Sequence, residues 1–465
     1  MNSWRDRNPR ALRGDCDLAR YVLDVFKYDT PMLLRCKLHG KMFEFRDLRE
    51  LMGKANDEKS GDRLAGLAAA SALERAAARY VLSEVPLWAL RESPAVPYES
   101  DEVTRVIDDA IDPTIYAEIK GWTVGELREW LLRDATSPEA IRRASTGMTG
   151  EMIAGVAKLM SNLDLALASA RLRVVTRANT TLGLAGTLGS RLQPNHPIDD
   201  PETIRAEILE GLSFGCGDAV IGINPAIDTV DNVARLLELT QSIIDAEGAP
   251  AQNCVLAHVS TQMAALRAGA PMGLMFQSIA GTEGANASFG ISLGLLDEAR
   301  VLAQAGSNVA GPNVLYFETG EGSELSAGAH NGWDQLTLEA RCYCLARRYA
   351  PFMVNSVVGF IGPEYLRDAR QIARAGLEDH FCAKLAGVPM GVDVCYTNHA
   401  RADQNDLESL AILLAAAGCN FFMGVPGGDD PMLSYQSTSF HDTAALRQLL
   451  HLRPLPEFER WIENR

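Results

Sequence analysis

Five polar residues stand where short apolar runs of the sequence end: Arg191 and Gln193 in SRLQPN, Asn224 in IGINP, Glu318 in YFETG and Asp393 in GVD. Arg191 and Gln193 are two apart, so strand alternation aims both at the same side. One guanidinium, two carboxylates and two amides in a dry pocket are costly without a ligand, because buried charge needs partners. Such a set suits a small polar substrate. Glu318 and Asp393 can hold an ammonium group, while Arg191 and Asn224 can donate to, or polarise, a hydroxyl oxygen. The competing reading is an internal salt-bridge network joining the same residues.

Other candidates carry weaker signals. His258 suits a rim group and a hydrogen-bonded core histidine equally, and His399 follows Asp393 in a position that supports rather than contacts a substrate. Cys342 and Cys344 fall in a helical stretch and read as packing rather than ligation. Nine scattered cysteines match reduced thiols in a cytosolic setting, and no zinc spacing is visible. No His-Glu-x-x-His pair, phosphate-binding glycine-lysine loop or nucleophile elbow occurs, so hydrolysis is not indicated. Glycine-rich loops at 319–328 and 424–430 either let backbone approach a large flat cofactor or are ordinary flexible connections.

These residues need elements that converge. From Ala185 onward, short β-rich runs alternate with amphipathic helices of roughly 10–20 residues, the pattern of repeated β-α units. Eight units are expected, with strands ending near Leu192, Ile223, Val259, Gln277, Phe317, Val357, Val394 and Met423. Helices are expected at 231–246, 261–268, 288–305, 335–349, 364–385, 406–417 and 439–452. An open doubly wound sheet is the competitor, but eight successive units without a glycine fingerprint favour a closed (β/α)8 TIM barrel within 161–465. In such barrels side chains from several strand ends meet on one axis. Residues 32–160 read as a mainly helical N-terminal region, with a β-like run at 32–45 and helices over 46–55 and 63–84. Residues 1–31, arginine-rich and unpatterned, read as a leader.

Composition narrows the class. The 465 residues are 47% hydrophobic and 22% charged, ordinary for a folded globular chain. A net charge of −16 without a long basic run disfavours nucleic acid and anionic membranes. No apolar stretch approaches the roughly 20 residues that span a bilayer, and no secretory signal is seen. The expected location is the cytoplasm.

Seven strings go further: RLQPN at Arg191, GLSFGCGDAVIGINP ending at Pro225, VLAHV at Val255, YFETG at Tyr316, VVGFIGPEYL at Val357, RAGLEDHF ending at Phe381 and LRPLPEFERW ending at Trp461. They resemble the large (heavy) subunit of ethanolamine ammonia-lyase, from about Met32 to the end. The resemblance implies a lyase dependent on adenosylcobalamin (coenzyme B12) that converts ethanolamine to acetaldehyde and ammonia by a radical route, with cobalt–carbon homolysis, hydrogen abstraction, amino migration and elimination. It also implies a separate small subunit, large subunits paired and grouped in threes, and leaves open enclosure in a bacterial microcompartment.

By matching motif, Arg191, Glu318 and Asp393 resemble the family's catalytic residues. With Leu192, Gln193 and Asn224 they resemble its substrate-binding set. Pro225, Gln277, Ser326 and Met432 correspond to cobalamin contacts, and Phe360 and Met423 to pocket wall. The Asp-x-His-x-x-Gly signature of other B12 proteins is absent, which fits base-on binding, and no protein metal ligand is expected. Three departures stand out. Ser288 replaces an expected glutamate near the adenosyl ribose, the chain stops soon after Trp461, and the leader has no family counterpart, so translation is expected to begin at Met32. Two other readings remain: a metal-dependent barrel lyase or aldolase using Glu318, Asp393 and His258, and an inactive scaffold subunit.

Overall fold

The computed structural model describes residues 34–465, so the leader, its boundary and the expected start at Met32 lie outside the described residues. The β-like run is a hairpin of Arg35–Leu38 against Lys41–Glu44. Helices follow from Leu48–Ala55 to Asn162–Ala170. The helix expected over 63–84 is two, Ser60–Leu64 and Ala72–Ser83, because the Ser71 hydroxyl accepts the Glu74 N–H and starts a new helix there. Helix Gly150–Lys158 is buried along its whole length, which docks this region on the barrel.

The barrel strands are β1 (Gly189–Leu192), β2 (Val220–Ile223), β3 (Asn253–Val255), β4 (Met275–Ser278), β5 (Leu315–Thr319), β6 (Met353–Val357), β7 (Met390–Asp393) and β8 (Phe421–Gly424). All pair in parallel, in the order β3-β2-β1-β8-β7-β6-β5-β4. Helices α1 (Pro201–Ser213), α2 (Val230–Glu247), α3 (Val259–Arg267), α4 (Leu293–Gly306), α5 (Gln335–Tyr349), α6 (Ala369–Ala386), α7 (Gln404–Ala416) and α8 (Phe440–Leu449) follow the strands in turn. This is the expected (β/α)8 barrel. Four details differ. Helix α6, expected from 364, begins at Ala369, where the Asp368 side chain accepts the Gln371 N–H. Helix α1 was not anticipated. Val259 begins α3 instead of ending β3, because His258 caps that helix. The helix expected over 288–305 divides into Glu283–Ser288 and α4, whose first turn is capped by Ser292.

Closure between β3 and β4 relies on side chains. Only the Leu274 N–H reaches the Asn253 carbonyl at 2.9 Å, and farther along Gln262 of α3 substitutes for the ladder by accepting from the Phe276 N–H at 2.9 Å and donating to its carbonyl at 2.7 Å. Outward residues such as Ile221, Val255, Phe317, Val354 and Phe422 pack under the helices, while inward Val220, Cys254, Phe276, Tyr316, Met353 and Phe421 fill the lower barrel. Gly391 makes that filling possible, since a Cβ there would lie 2.3 Å from the Phe421 ring. The packed floor leaves polar inward positions only at the C-terminal ends of the strands.

Candidate active site

On β1 the inward position above the floor is Arg191, a guanidinium only 1% exposed. Its Nη1 donates to the Tyr316 hydroxyl at 2.8 Å and to Glu318 Oε1 at 2.5 Å, and its Nη2 donates to Asn224 Oδ1 at 2.8 Å. Tyr316 and Glu318, two apart on β5, share a face, and the Tyr316 hydroxyl donates to the same Glu318 oxygen. Asn355, beside Glu318 on β6, adds a long contact of 3.4 Å. The guanidinium can cross the barrel because β2 carries Gly222, where a Cβ would stand 2.9 Å from Arg191 Nε.

A small flap completes the rim. Strands Asp429–Asp430, Tyr435–Gln436 and Tyr396–Thr397 form a three-stranded antiparallel sheet. Tyr435 donates to Asp393 Oδ2 at 2.9 Å, and Ser437 donates to Asp393 Oδ1. Gln193 Nε2 donates to Asp430 Oδ2 at 2.6 Å and lies 2.9 Å from the Tyr435 hydroxyl. Asn195 Nδ2 also reaches Asp430 Oδ2, at 2.7 Å, and Asn224 Oδ1 at 3.2 Å. One hydrogen-bonded chain therefore runs through all five residues that sequence placed at the rim.

Charge states follow from burial and neighbours. Desolvation pushes the Asp393 carboxyl up to about 7, against the hydrogen bonds from Ser437 and Tyr435 that favour its charged form. Desolvation opposes the Arg191 charge too, but Tyr316 and Glu318 more than offset it, so the guanidinium is held above its ordinary value. Burial raises the Tyr316 and Tyr435 phenols well above theirs, so both are neutral donors.

The remaining sequence candidates fall in different places. Leu192 turns outward against Gly211 and Gly217, so it offers the rim only its backbone. Gln277 also faces outward, and its amide is committed to the Val259 N–H at 2.9 Å and the Ser278 carbonyl at 3.0 Å. Met423 pairs beside Arg191 on β8, on the same face. Phe360 is 38% exposed and stands edge-on to Tyr435, with ring centroids 5.4 Å apart. Pro225 and Met432 are half-buried after β2 and in the flap, and Ser326 is exposed at the end of the short helix Ser323–Ser326 that follows β5. Ser288 is exposed, and its hydroxyl donates to the Ala285 carbonyl of its own helix at 2.7 Å. His399 is exposed. His258 is engaged with Ser260 and the Phe289 carbonyl. Among the described residues no group of three or more His, Cys, Asp or Glu is placed to hold a metal ion. Cys342 and Cys344 are buried free thiols, as expected of packing residues. A cavity of about 710 Å³ between the N-terminal helices and α5, bordered by Tyr98, Thr149 and Arg341, shares no residue with the rim.

Sequence reasoning missed Tyr316, Asn195, Asp430, Tyr435 and Ser437 as members of the rim. Two had a usable signal. Tyr316 precedes Glu318 by two and Asn195 follows Gln193 by two, the same alternation that paired Arg191 with Gln193.

A parallel eight-stranded barrel whose strand ends gather a buried guanidinium, two carboxylates and two amides defines a (β/α)8-barrel enzyme with its polar site at the C-terminal face. The family profile described as "Ethanolamine ammonia lyase large subunit (EutB)" matches residues 43–465, and the chain belongs to that family, which makes it a carbon–nitrogen lyase. It is 56% identical over 433 residues to the ethanolamine ammonia-lyase large subunit of Escherichia coli (strain K12), covering 93% of this chain and 96% of that one. The corresponding subunit of Salmonella typhimurium (strain LT2) matches with the same identity and coverage.

Proposed function

We propose that this chain, with adenosylcobalamin and a separate small subunit, converts ethanolamine to acetaldehyde and ammonia. The observation that carries this reading is what the rim leaves unused. Among the described residues no protein partner meets Glu318 Oε2, Gln193 Oε1 or Asn224 Nδ2, whereas the other polar atom of each side chain is hydrogen-bonded. An ammonium needs acceptors and an alcohol oxygen needs a donor. Two free acceptors, the Asp393 carboxylate and one free amide N–H2 match a two-carbon amino alcohol.

In this reading Glu318 and Asp393 hold the ammonium, and Glu318 Oε2 takes and returns a proton as the amino group migrates. Asn224 Nδ2 and the unused N–H groups of Arg191 steady the hydroxyl oxygen. Leu192 contributes through its main chain. Phe360 and Met423 wall the pocket against water. The exposed Phe360 ring, Pro225, Met432 and Ser326 on the same face fit the underside of a large, partly apolar group and would hold the coenzyme. When bound, the coenzyme supplies the radical chemistry at carbon that no side chain here provides. Large subunits paired and grouped in threes, and a cytoplasmic or shell-enclosed location, complete the proposal. No helix among the described residues is long and apolar enough to cross a membrane.

The test is co-expression with a neighbouring small-subunit gene and an assay of acetaldehyde from ethanolamine. Release that depends on both adenosylcobalamin and the small subunit is expected. Its absence with both present, in a complex that binds the coenzyme, rejects the reading.

A further inference from the structure

Among the described residues Asp430 makes no ion pair, yet it is a carboxylate only 1% exposed. Four N–H groups satisfy it instead. Its Oδ2 accepts from Gln193 Nε2 at 2.6 Å and Asn195 Nδ2 at 2.7 Å, and its Oδ1 accepts from the backbone N–H groups of Met432 at 3.0 Å and Leu433 at 2.8 Å. An amide can be turned over at little cost unless its neighbours distinguish oxygen from nitrogen. A carboxylate does so absolutely, since an amide oxygen pointed at it meets only repulsion.

We infer that Asp430 is the positioning residue that sets the polarity of the substrate-binding amides. With Gln193 Nε2 held by Asp430, Gln193 Oε1 must face the pocket as an acceptor. With Asn195 Nδ2 held by the same oxygen, Asn195 Oδ1 accepts the Asn224 N–H at 2.8 Å, and Asn195 Nδ2 reaches Asn224 Oδ1. Arg191 Nη2 reinforces that orientation, so Asn224 must present its N–H2. One carboxylate thus fixes an acceptor on one side of the pocket and a donor on the other, the discrimination needed to seat an ammonium and a hydroxyl in one order only. The same carboxylate pins the flap tip at Met432 and Leu433, so the flap's position and the orientation of the amides share one anchor.

This inference rests on the ethanolamine reading. A parent complex that deaminates no ethanolamine defeats the reading, whereas an active parent whose Asp430 variants behave as parent defeats only the inference. Asp430→Asn should fold and bind coenzyme, because an amide fills the same space, but its own N–H2 allows Gln193 to turn over. The Michaelis constant for ethanolamine should rise roughly 10- to 100-fold, the scale of a misdirected buried hydrogen bond. Gln193→Glu alone places two carboxylates face to face and should be at least as harmful. The double variant Gln193→Glu/Asp430→Asn restores a donor opposite an acceptor at position 193 but leaves Asn195 facing an N–H2, so it should recover part of the loss, which a merely structural role for Asp430 would not produce. Parent-like KM in either single variant, or a double variant no better than the worse single, overturns the inference. Should Asp430→Asn fail to fold, the comparison of Gln193→Glu with the double variant still decides it.

Discussion

Arg191 and Glu318 face each other across the barrel with only one carboxylate oxygen engaged: Oε1 takes the guanidinium at 2.5 Å, while Oε2 has no protein partner among the described residues. The engaged oxygen keeps a buried cation neutralised, and the free one is available to substrate. Glu318→Gln keeps the shape and removes both services. Turnover should fall by about 10²–10⁴, the usual contribution of a positioned proton-transfer group. Leaving the Arg191 charge uncompensated should also destabilise the chain by about 3–5 kcal/mol. Acetaldehyde release and thermal melting read the two effects separately, and a variant with parental turnover would remove Glu318 from the mechanism.

Gly222 tests the same pair from behind. A Cβ at this position would lie 2.9 Å from Arg191 Nε, closer than Cβ contacts normally come, so the guanidinium must shift by a few tenths of an ångström. Gly222→Ala touches no substrate, yet small misplacements of catalytic geometry cost up to about 100-fold in rate. A fall in kcat, with coenzyme binding and circular dichroism unchanged, is expected. Parental kcat would show that Arg191 tolerates displacement.

How much of this was legible in sequence depended on local repetition. Strand alternation and the β-α period are short-range signals. They exposed the barrel and put Arg191, Asn224, Glu318 and Asp393 at strand ends. The flap has no such signal, because its strands are two residues each and Asp430 lies 237 positions from its partner Gln193. The three contributions of the flap, Asp430, Tyr435 and Ser437, exist only in the folded chain. Gln277 is the reverse case. Its neighbours Phe276 and Ser278 occupy the inward face, so alternation already turned it outward, toward a barrel seam that no sequence pattern reveals. Helix α1 was readable from Asp200-Pro201, a capping side chain followed by proline at the first helical position.

Lys59 offers a stability prediction away from the rim. It is fully buried between Glu378 at 2.6 Å and Glu321 at 3.6 Å, and so ties the N-terminal region to α6 and to the loop after β5. Both Glu321 oxygens otherwise lack a hydrogen-bond partner, and burial raises that carboxyl toward its neutral form. Lys59→Met removes the cation while leaving the acids in place. A loss of about 3–5 kcal/mol is expected in denaturant unfolding, as for other broken buried pairs. Lys59→Met combined with Glu378→Met should recover part of it. Equal stability of single variant and parent would mean that the cluster carries no net charge to neutralise.

Asp393 ties function to pH. Its folded-state pKa of about 7 lies above the roughly 3.9 of an unfolded aspartate, so between those values the native chain holds a proton that the unfolded chain has released. Stability from this residue is therefore lost as pH rises from about 4 to 7 and levels off above, the opposite of a salt-bridged carboxylate. Parent minus Asp393→Asn melting temperatures across that range should isolate the slope. Binding an ammonium requires the charged form, so ethanolamine must displace that proton below pH 7, and its affinity should weaken as pH falls from 7 to 6. Calorimetry in two buffers of different ionisation enthalpy measures the released proton directly. A binding heat independent of buffer at pH 6 would show that Asp393 is already ionised, or that the ammonium is held elsewhere.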